Sequence, residues 1–111
     1  MKYVLLICDD EVDAPTNEQL GADPVHAAWL DDLQRRGGMS AMARLRPVVD
    51  ATTVRVREGE TLISDGPFAE TKDFVGGVVL LECADLDEAV EIAAAHPYAH
   101  RGCIEIRPVW E

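Results

Sequence analysis

The sequence has little of three things that mark particular classes of protein: cysteine, basic residues and long apolar runs. Its 111 residues include three cysteines, and their odd number and wide spacing argue against a disulfide framework or a zinc motif. Lysine and arginine together number 10 against 21 acidic residues, so the net charge is −11. Because that field repels phosphate groups, we expect no nucleic-acid partner and no membrane partner.

The apolar runs are too short for a membrane span of about 20 residues. The first segment, Met1–Cys8, holds too short an apolar stretch for a secretory signal, and acidic residues follow it. We therefore expect a cytoplasmic protein, with Cys8, Cys83 and Cys103 as buried free thiols. The sequence contains no glycine-rich phosphate loop, nucleophile elbow or P-loop, and we expect no cofactor and no bound metal.

What the sequence does contain is an alternation of strand-like and helix-like segments, in a length that suits one domain over residues 1–111. Short apolar or alternating runs predict the strands. These runs are residues 2–8, 39–45, 52–57, 61–63, 74–83 and 102–110. In the third run, Val54 and Val56 are expected to face inward and the arginines between and after them outward.

Two helix signals separate these strands. The first helix is predicted to begin at Pro24 with Asp23 as its cap and to end at Gly37. The second is predicted to begin at Asp85 and to end at His96. The expected buried stripes are Val25, Ala28, Trp29 and Leu33 in the first helix, and Leu86, Ala89, Val90 and Ala93 in the second.

The resulting order, β-α-β-β-β-β-α-β, is typical of a ferredoxin-like α+β sandwich with an added hairpin. Two helices cover only one face of such a sheet, but residues 2–8 and 74–83 carry apolar side chains on both faces. A second copy is the simplest cover for the other face, so we predict a homodimer packed sheet to sheet. The pair Gly76-Gly77 indicates a bulge, or a close approach by another backbone or a ligand.

One loop, Asp65–Lys72, is longer and chemically richer than a chain reversal of about two to five residues requires. It reads Asp-Gly-Pro-Phe-Ala-Glu-Thr-Lys, and binding groups are common on loops that a rigid scaffold holds. The loop is therefore a candidate rim of a functional site.

This loop and three further segments together resemble the DGPF-domain proteins of the YCII-related superfamily. The segments are MKYVLLIC at the N-terminus, ATTVRVREGETLISDGPFAETKD around the loop, GGVVLLECADLDEAVEIAAAHP, and IEIRPVW in the last strand. The resemblance extends almost end to end and is strongest over residues 51–111. It implies a dimeric α+β barrel, in agreement with the two apolar sheet faces.

The resemblance implies less about function. Most DGPF-type members have no assigned activity, and some are encoded beside extracytoplasmic-function sigma factors. In the wider superfamily a His-Asp pair in a cleft is a proposed catalytic centre, and at least one member resembles a dehydrochlorinase acting on a chlorinated hydroxyquinol. His26 is similar in position to the helix histidine of those wider-superfamily sequences.

The candidate catalytic residues are His26, Asp65 and His100. A histidine at the edge of a helix stripe can serve as a general base near neutral pH, and a cap-region or surface position is the alternative for His26. Asp65 can orient a histidine, or it can simply cap the turn formed by Gly66 and Pro67.

The candidate substrate-binding residues are Phe68, Lys72, His96 and Arg101. Phe68 can line a pocket or plug the barrel mouth, and Lys72 can pair with Glu70 in solvent. His96 and His100 are not predicted to form a metal site, because Pro97 prevents a simple helical continuation between them. Arg101 can hold an anionic substrate or stay solvated.

Two functions from different classes fit these features. The first is a small-molecule-binding, cofactor-independent acid–base enzyme that uses a His-Asp pair. The second is a non-catalytic sensing or accessory module in a sigma-factor pathway. A cleft in which a histidine touches Asp65 favours the enzyme, and solvent-facing histidines favour the module.

Overall fold

The computed structural model describes residues 1–69 and 71–111. In chain order its strands and helices are β1 (Lys2–Asp9), α1 (Asn17–Ala22), α2 (Pro24–Arg36), β2 (Met39–Arg44), β3 (Thr52–Arg57), β4 (Glu60–Asp65), β5 (Phe74–Glu82), α3 (Leu86–Ala94), α4 (Tyr98–Arg101) and β6 (Cys103–Pro108). A single 3₁₀ turn at Val48–Asp50 precedes β3.

The main sheet has four strands in the order β2-β5-β1-β6, and every neighbouring pair is antiparallel. With one helical connection after β1 and another after β5, this is the ferredoxin-like α+β arrangement that the element order predicts. Within the described residues, strands β3 and β4 pair with each other alone, as a separate antiparallel hairpin. The hairpin turns at Glu58 and Gly59, both with positive φ, as a tight two-residue reversal requires.

The helix boundaries follow from their caps. The Asp23 carboxylate accepts a hydrogen bond from the Val25 amide at 2.9 Å, and Gly37 ends α2 in the left-handed region with φ 74°. The Asp85 carboxylate accepts from the Glu88 amide at 2.9 Å and so begins α3. These caps confirm both predicted helix starts.

The core lies between the sheet and the helices. Its largest fully buried side chains are Leu5, Leu33, Val79 and Leu81. Trp29 fixes α2 against α3, because its indole Nε1 donates a hydrogen bond to the Ile92 carbonyl at 2.8 Å in a buried position.

Four predicted core positions are wrong. In α2, Val25 is 53% exposed and Ala28 is exposed as well, because the helix is rotated so that Trp29 and Leu33 face the core. In α3, Leu86 is 51% exposed and Val90 is 49% exposed, because Ala89, Ile92 and Ala93 face the core. The inward prediction for Val54 and Val56 is also wrong: they are 59% and 57% exposed, because the hairpin stands apart from the main sheet.

The cysteine prediction is half right. All three thiols are free, but Cys103 is exposed and the other two are only half-buried. Cys8 and Cys103 face each other across β1 and β6, on the side of the sheet that carries no helix. Burial, with the neighbouring Cys103, raises the pKa of the Cys8 thiol to about 11.

The helix-free face of the sheet is apolar in its centre, as predicted. Val4 and Leu6 of β1 lie beside Leu80 and Val78 of β5, and all four side chains remain partly accessible. Among the described residues, no helix is long and apolar enough to cross a membrane.

Candidate functional site

The most chemically equipped cavity lies on the helix side of the sheet, where the register of β1 and β5 shifts. Opposite Ile7 and Cys8, β5 places Gly77 and Val75, so Gly76 is an extra, bulged residue. This confirms the predicted bulge at the paired glycines. Because neither glycine carries a side chain, the sheet leaves an open space here.

That space is a cavity of about 210 Å³ between β2, β5, α1, the start of α2 and the turn after α3. Its lining residues are Ile7, Asn17, Leu20, His26, Met42, Ala43, Arg44, Gly76, Gly77, His96 and Tyr98. The cavity therefore combines an apolar floor with two histidines, a tyrosine and an arginine.

His26 and His96 meet in this cavity. Their ring centroids are 5.6 Å apart and the rings are perpendicular, so the edge of one imidazole faces the other. His26 comes from the first turn of α2, and His96 follows α3. The fold therefore brings together two of the histidines that the sequence singled out, but as a His-His pair and not as a His-Asp pair.

The protonation state of His96 follows from its surroundings. The side chain is buried, and its Nδ1 accepts a hydrogen bond from the Tyr98 amide at 3.0 Å. Burial, and to a smaller extent the nearby His26, lowers the pKa of His96 to about 4. At neutral pH the ring is thus neutral and carries its proton on Nε2, because Nδ1 is already an acceptor.

His26 is the more accessible ring of the pair. Partial burial lowers its pKa below the ordinary value, Asp23 opposes that effect, and Arg44 adds to it. A neutral imidazole with some solvent access is the form that accepts a proton.

Aromatic rings hold His96 in position. The Trp29 ring is perpendicular to it at 4.6 Å between centroids, and the Tyr98 ring lies near-perpendicular at 5.6 Å. Since Trp29 is itself tied to the Ile92 carbonyl, the imidazole sits in a rigid frame that links α2, α3 and α4.

Arg44 lies at the mouth of the cavity, at the end of β2 opposite Gly77. Its guanidinium donates to the Asn17 side-chain oxygen at 2.6 Å and to the Pro15 carbonyl. Arg44 was not among the residues predicted from the sequence. The sequence shows Arg44 only as an arginine in a mostly apolar strand. Its place beside the β5 glycines follows from the strand register, in which it lies opposite Gly77.

A wider cleft of about 500 Å³ adjoins this cavity and shares Asn17, Arg44, Gly76 and Tyr98 with it. Its acidic side chains already have protein partners. Asp9 is 3% exposed and forms an ion pair with Arg101, and the Glu11 carboxylate accepts from the Val48 amide at 3.2 Å.

Arg101 is thus a structural tie in this chain. Besides Asp9, its guanidinium donates to the carbonyls of Val12 and Asp13, and it lies 5.5 Å from the centroid of the Tyr98 ring. Each of its three nitrogens has an acceptor within the protein, so this geometry lends no support to its predicted substrate contact.

The remaining candidates lie elsewhere. Asp65 is exposed at the end of β4, Phe68 is 78% exposed, and Lys72 is exposed just before β5. His100 is exposed on α4. Glu70, the suggested partner of Lys72, lies outside the described residues. In residues 1–69 and 71–111 no hydrogen bond joins Asp65 to a histidine, so its pairing stays a prediction.

In residues 1–69 and 71–111, no group of three or more His, Cys, Asp or Glu side chains is arranged to hold a metal ion. His96 precedes Pro97, whereas His100 follows it within α4, so the two do not share a helical face.

Comparison with known proteins agrees with this architecture. The α+β fold resembles that of 5-chloro-2-hydroxyhydroquinone dehydrochlorinase from Burkholderia phenoliruptrix AC1100, solved in complex with 2,5-dihydroxybenzoquinone. The TM-score is 0.51 with 14% sequence identity, over 100% of this chain and 94% of that one. At that identity the likeness concerns the fold alone.

The sequence model of the YCII-related domain matches residues 1–111, and the chain belongs to that family. A relative from Rhizobium meliloti (strain 1021), the uncharacterized protein R00369, is 44% identical over 86 residues, which is 72% of this chain and 69% of that protein. The resemblance to the YCII-related superfamily is therefore confirmed, and membership of its DGPF-type group stays a prediction.

Proposed function

We propose that this protein binds a small molecule and acts on it as a cofactor-independent acid–base enzyme, with the His26–His96 cavity as its centre. The observation that carries the proposal is the perpendicular contact of the two imidazoles in one cavity, with a 5.6 Å separation of their centroids. Histidine is the commonest general acid or base, and two of them beside an open space suit proton transfer.

The two rings differ in a way that suits separate roles. His96 is held neutral with its proton on Nε2, so it donates a hydrogen bond to an oxygen of the bound molecule. His26, less buried and also shifted toward its neutral form, accepts the proton that leaves the substrate. Two titratable groups in different environments are a frequent arrangement in acid–base sites.

The relative of known structure guides the choice of probe. That protein is named for removal of HCl from a hydroxylated ring, a reaction in which a base receives a proton, and its bound molecule is a small hydroxyquinone. We therefore propose 2,5-dihydroxybenzoquinone as a binding probe and 5-chloro-2-hydroxyhydroquinone as the first of a panel of small phenolic substrates.

The test compares chloride release and calorimetric binding in the wild type with His26→Gln and His96→Gln, and with His100→Gln as control. General acid–base groups contribute about 10²–10⁴-fold, so each cavity variant should lose at least 100-fold in turnover. The control should keep the wild-type rate. Equal turnover in His26→Gln and the wild type would overturn the assignment.

Binding without turnover in the wild type would instead favour a ligand-sensing module. The predicted accessory role beside a sigma factor belongs to this second function. One observation supports it: His100, Asp65 and Phe68 face solvent, as a non-catalytic surface allows.

We also propose that the chain works as a homodimer with its helix-free sheet face covered by a second copy, as in a dimeric α+β barrel. The radius of gyration is 15.7 Å, whereas a compact domain of this length has about 13 Å. The excess reflects the projecting hairpin, whose Val54, Val56 and Ile63 are all more than half exposed. Apolar groups on both surfaces suit burial against a partner.

A further inference from the structure

The residues that line the cavity differ in charge from the chain as a whole. The protein carries 21 acidic residues and a net charge of −11, but none of the residues that line the 210 Å³ cavity is Asp or Glu. The ionisable groups there are Arg44, His26, His96 and Tyr98. With both histidines neutral at pH 7, the one permanent charge on this lining is the Arg44 guanidinium.

Arg44 also differs from several other arginines of the chain. Arg36, Arg46 and Arg101 each form a salt bridge with a carboxylate. In the described part of the chain Arg44 has no such partner, and its bonds go to an amide oxygen and a carbonyl. Those two neutral acceptors orient the guanidinium without neutralising it.

The nearby carboxylates do not supply the missing counter-charge. Asp9 is engaged by Arg101, and Glu11 holds the Val48 amide. Two of the five N–H groups of Arg44 are used within the protein, so others remain for a planar anion, which a guanidinium binds in a two-pronged manner.

The cavity is small compared with the cleft of about 500 Å³ that adjoins it. At about 210 Å³ it lies below the roughly 300–1,000 Å³ of pockets that hold drug-sized ligands. Gly76, Gly77 and the rings of His96 and Tyr98 line this space, and its volume suits a group of one ring.

We infer that Arg44 is the specificity-determining residue of this cavity, and that it selects compact, single-ring anions with a carboxylate or phenolate group. This inference rests on the proposed function of the His26–His96 site. The anion pairs with the guanidinium at the mouth, and the ring then lies beside the two imidazoles.

A matched pair of probes tests the inference. Benzoate and benzamide have nearly the same shape but differ in charge, and both are titrated into ¹⁵N-labelled protein while the amide signals of His26, Gly77 and Tyr98 are followed. We expect benzoate to bind the wild type at least 10-fold more tightly than benzamide, with those three signals moving.

Three variants identify the source of the selectivity. Arg44→Gln should remove the preference for benzoate, whereas Arg44→Lys should keep part of it because it keeps the charge. Arg46→Gln is the matched control: it removes a cation two positions away whose side chain is 85% exposed and paired with Asp50, and it should leave the preference unchanged. Thermal melting of each variant shows that the fold is kept.

The possible results distinguish a failure of this inference from a failure of the proposed function. Equal binding of the two probes to the wild type would overturn anion selection, even with the histidine site intact. A preference retained in Arg44→Gln would overturn the role of Arg44. If neither probe moves the signals of His26 or Gly77, the inference fails; the proposed function fails with it only if 2,5-dihydroxybenzoquinone also leaves those signals unmoved.

Discussion

The imidazoles of His26 and His96 stand perpendicular, with their centroids 5.6 Å apart, although one lies in the first turn of α2 and the other follows α3. The contact depends on the packing of Trp29 between the two helices. This buried neutral histidine and the more accessible one beside it form the proposed site. Four predictions concern its surroundings and the sheet that supports it.

The free energy of unfolding should decrease at acid pH because the pKa of His96 is lowered in the folded protein. The folded pKa is about 4 and the unfolded value about 6.5, so above pH 6.5 both states are neutral and the ring adds no pH dependence. As the pH falls from about 6.5 to 4, the unfolded chain binds a proton that the folded chain does not. The free energy of unfolding therefore decreases, by up to about 1.4 kcal/mol per pH unit.

Urea unfolding of the wild type and of His96→Gln across this window measures the effect. The stability difference between them should shrink as the pH is lowered, because the variant lacks the titrating ring. Met42→Gln, another cavity side chain without an ionisable group, should shift stability equally at every pH. Parallel curves for the wild type and His96→Gln would contradict the buried neutral ring.

Adding a side chain at Gly77 should close the cavity and leave the fold in place. A Cβ there lies 3.4 Å from the Ala43 carbonyl oxygen and 3.8 Å from the Ile7 side chain, which are ordinary van der Waals contacts, and φ is not positive. We expect Gly77→Val to weaken benzoate binding at least 10-fold and to change stability by less than about 2 kcal/mol.

Gly21→Ala is the control for this substitution. Nothing lies within 4 Å of the added methyl, and the residue is in α1. It should leave binding unchanged and stabilise the helix by up to about 1 kcal/mol. Unaltered binding in Gly77→Val would show that the ligand does not enter this cavity.

Removing the Arg101 side chain should lower the free energy of unfolding. Asp9 is 3% exposed, and its carboxylate would remain buried without a charged partner. Arg101→Gln should cost about 3–5 kcal/mol in chemical denaturation. Arg35→Gln breaks exposed ion pairs on α2 and should cost at most about 1 kcal/mol.

A second substitution distinguishes charge burial from lost packing. Asp9→Asn in the Arg101→Gln background removes the orphaned charge and should recover part of the stability. A double variant no more stable than Arg101→Gln alone would mean that the loop contacts to Val12 and Asp13 account for the effect.

A charge on the helix-free sheet face should prevent self-association. Leu80 lies in the middle of that face beside Val4, and Leu80→Asp places a carboxylate in the proposed interface. Sedimentation velocity at micromolar concentration should show a dimer for the wild type and a monomer for the variant.

Leu86→Asp is the matched control. It changes a leucine that is 51% exposed at the first position of α3, where a carboxylate is favourable, and the dimer should persist. A monomeric wild type at micromolar concentration would contradict the homodimer.

The sequence predicts this fold well because its signals are local. Asp23, Pro24 and Gly37 define a helix, Glu58-Gly59 defines a hairpin, and Gly76-Gly77 defines a bulge, each through the backbone conformation that it favours. The rotation of a helix about its axis depends on its packing against other elements and not on a local pattern. Val25 and Leu86 were therefore predicted to face the core, although both are exposed.

The site was predicted only in part, for a related reason. His26 and His96 were selected by residue type, but their contact depends on how α2 packs against α3, which no short pattern encodes. Arg44 was missed because only the strand register places it beside Gly77. Asp65 drew attention through the composition of its loop, yet the separate hairpin holds it in solvent.

The most direct measurement of the central claim is a crystal structure of the protein with 2,5-dihydroxybenzoquinone. The ring should lie between His26 and the wall formed by Gly77, with one oxygen against the Arg44 guanidinium and another accepting from His96 Nε2. A ring bound instead at the hairpin, against Phe68 and Asp65, would contradict that claim.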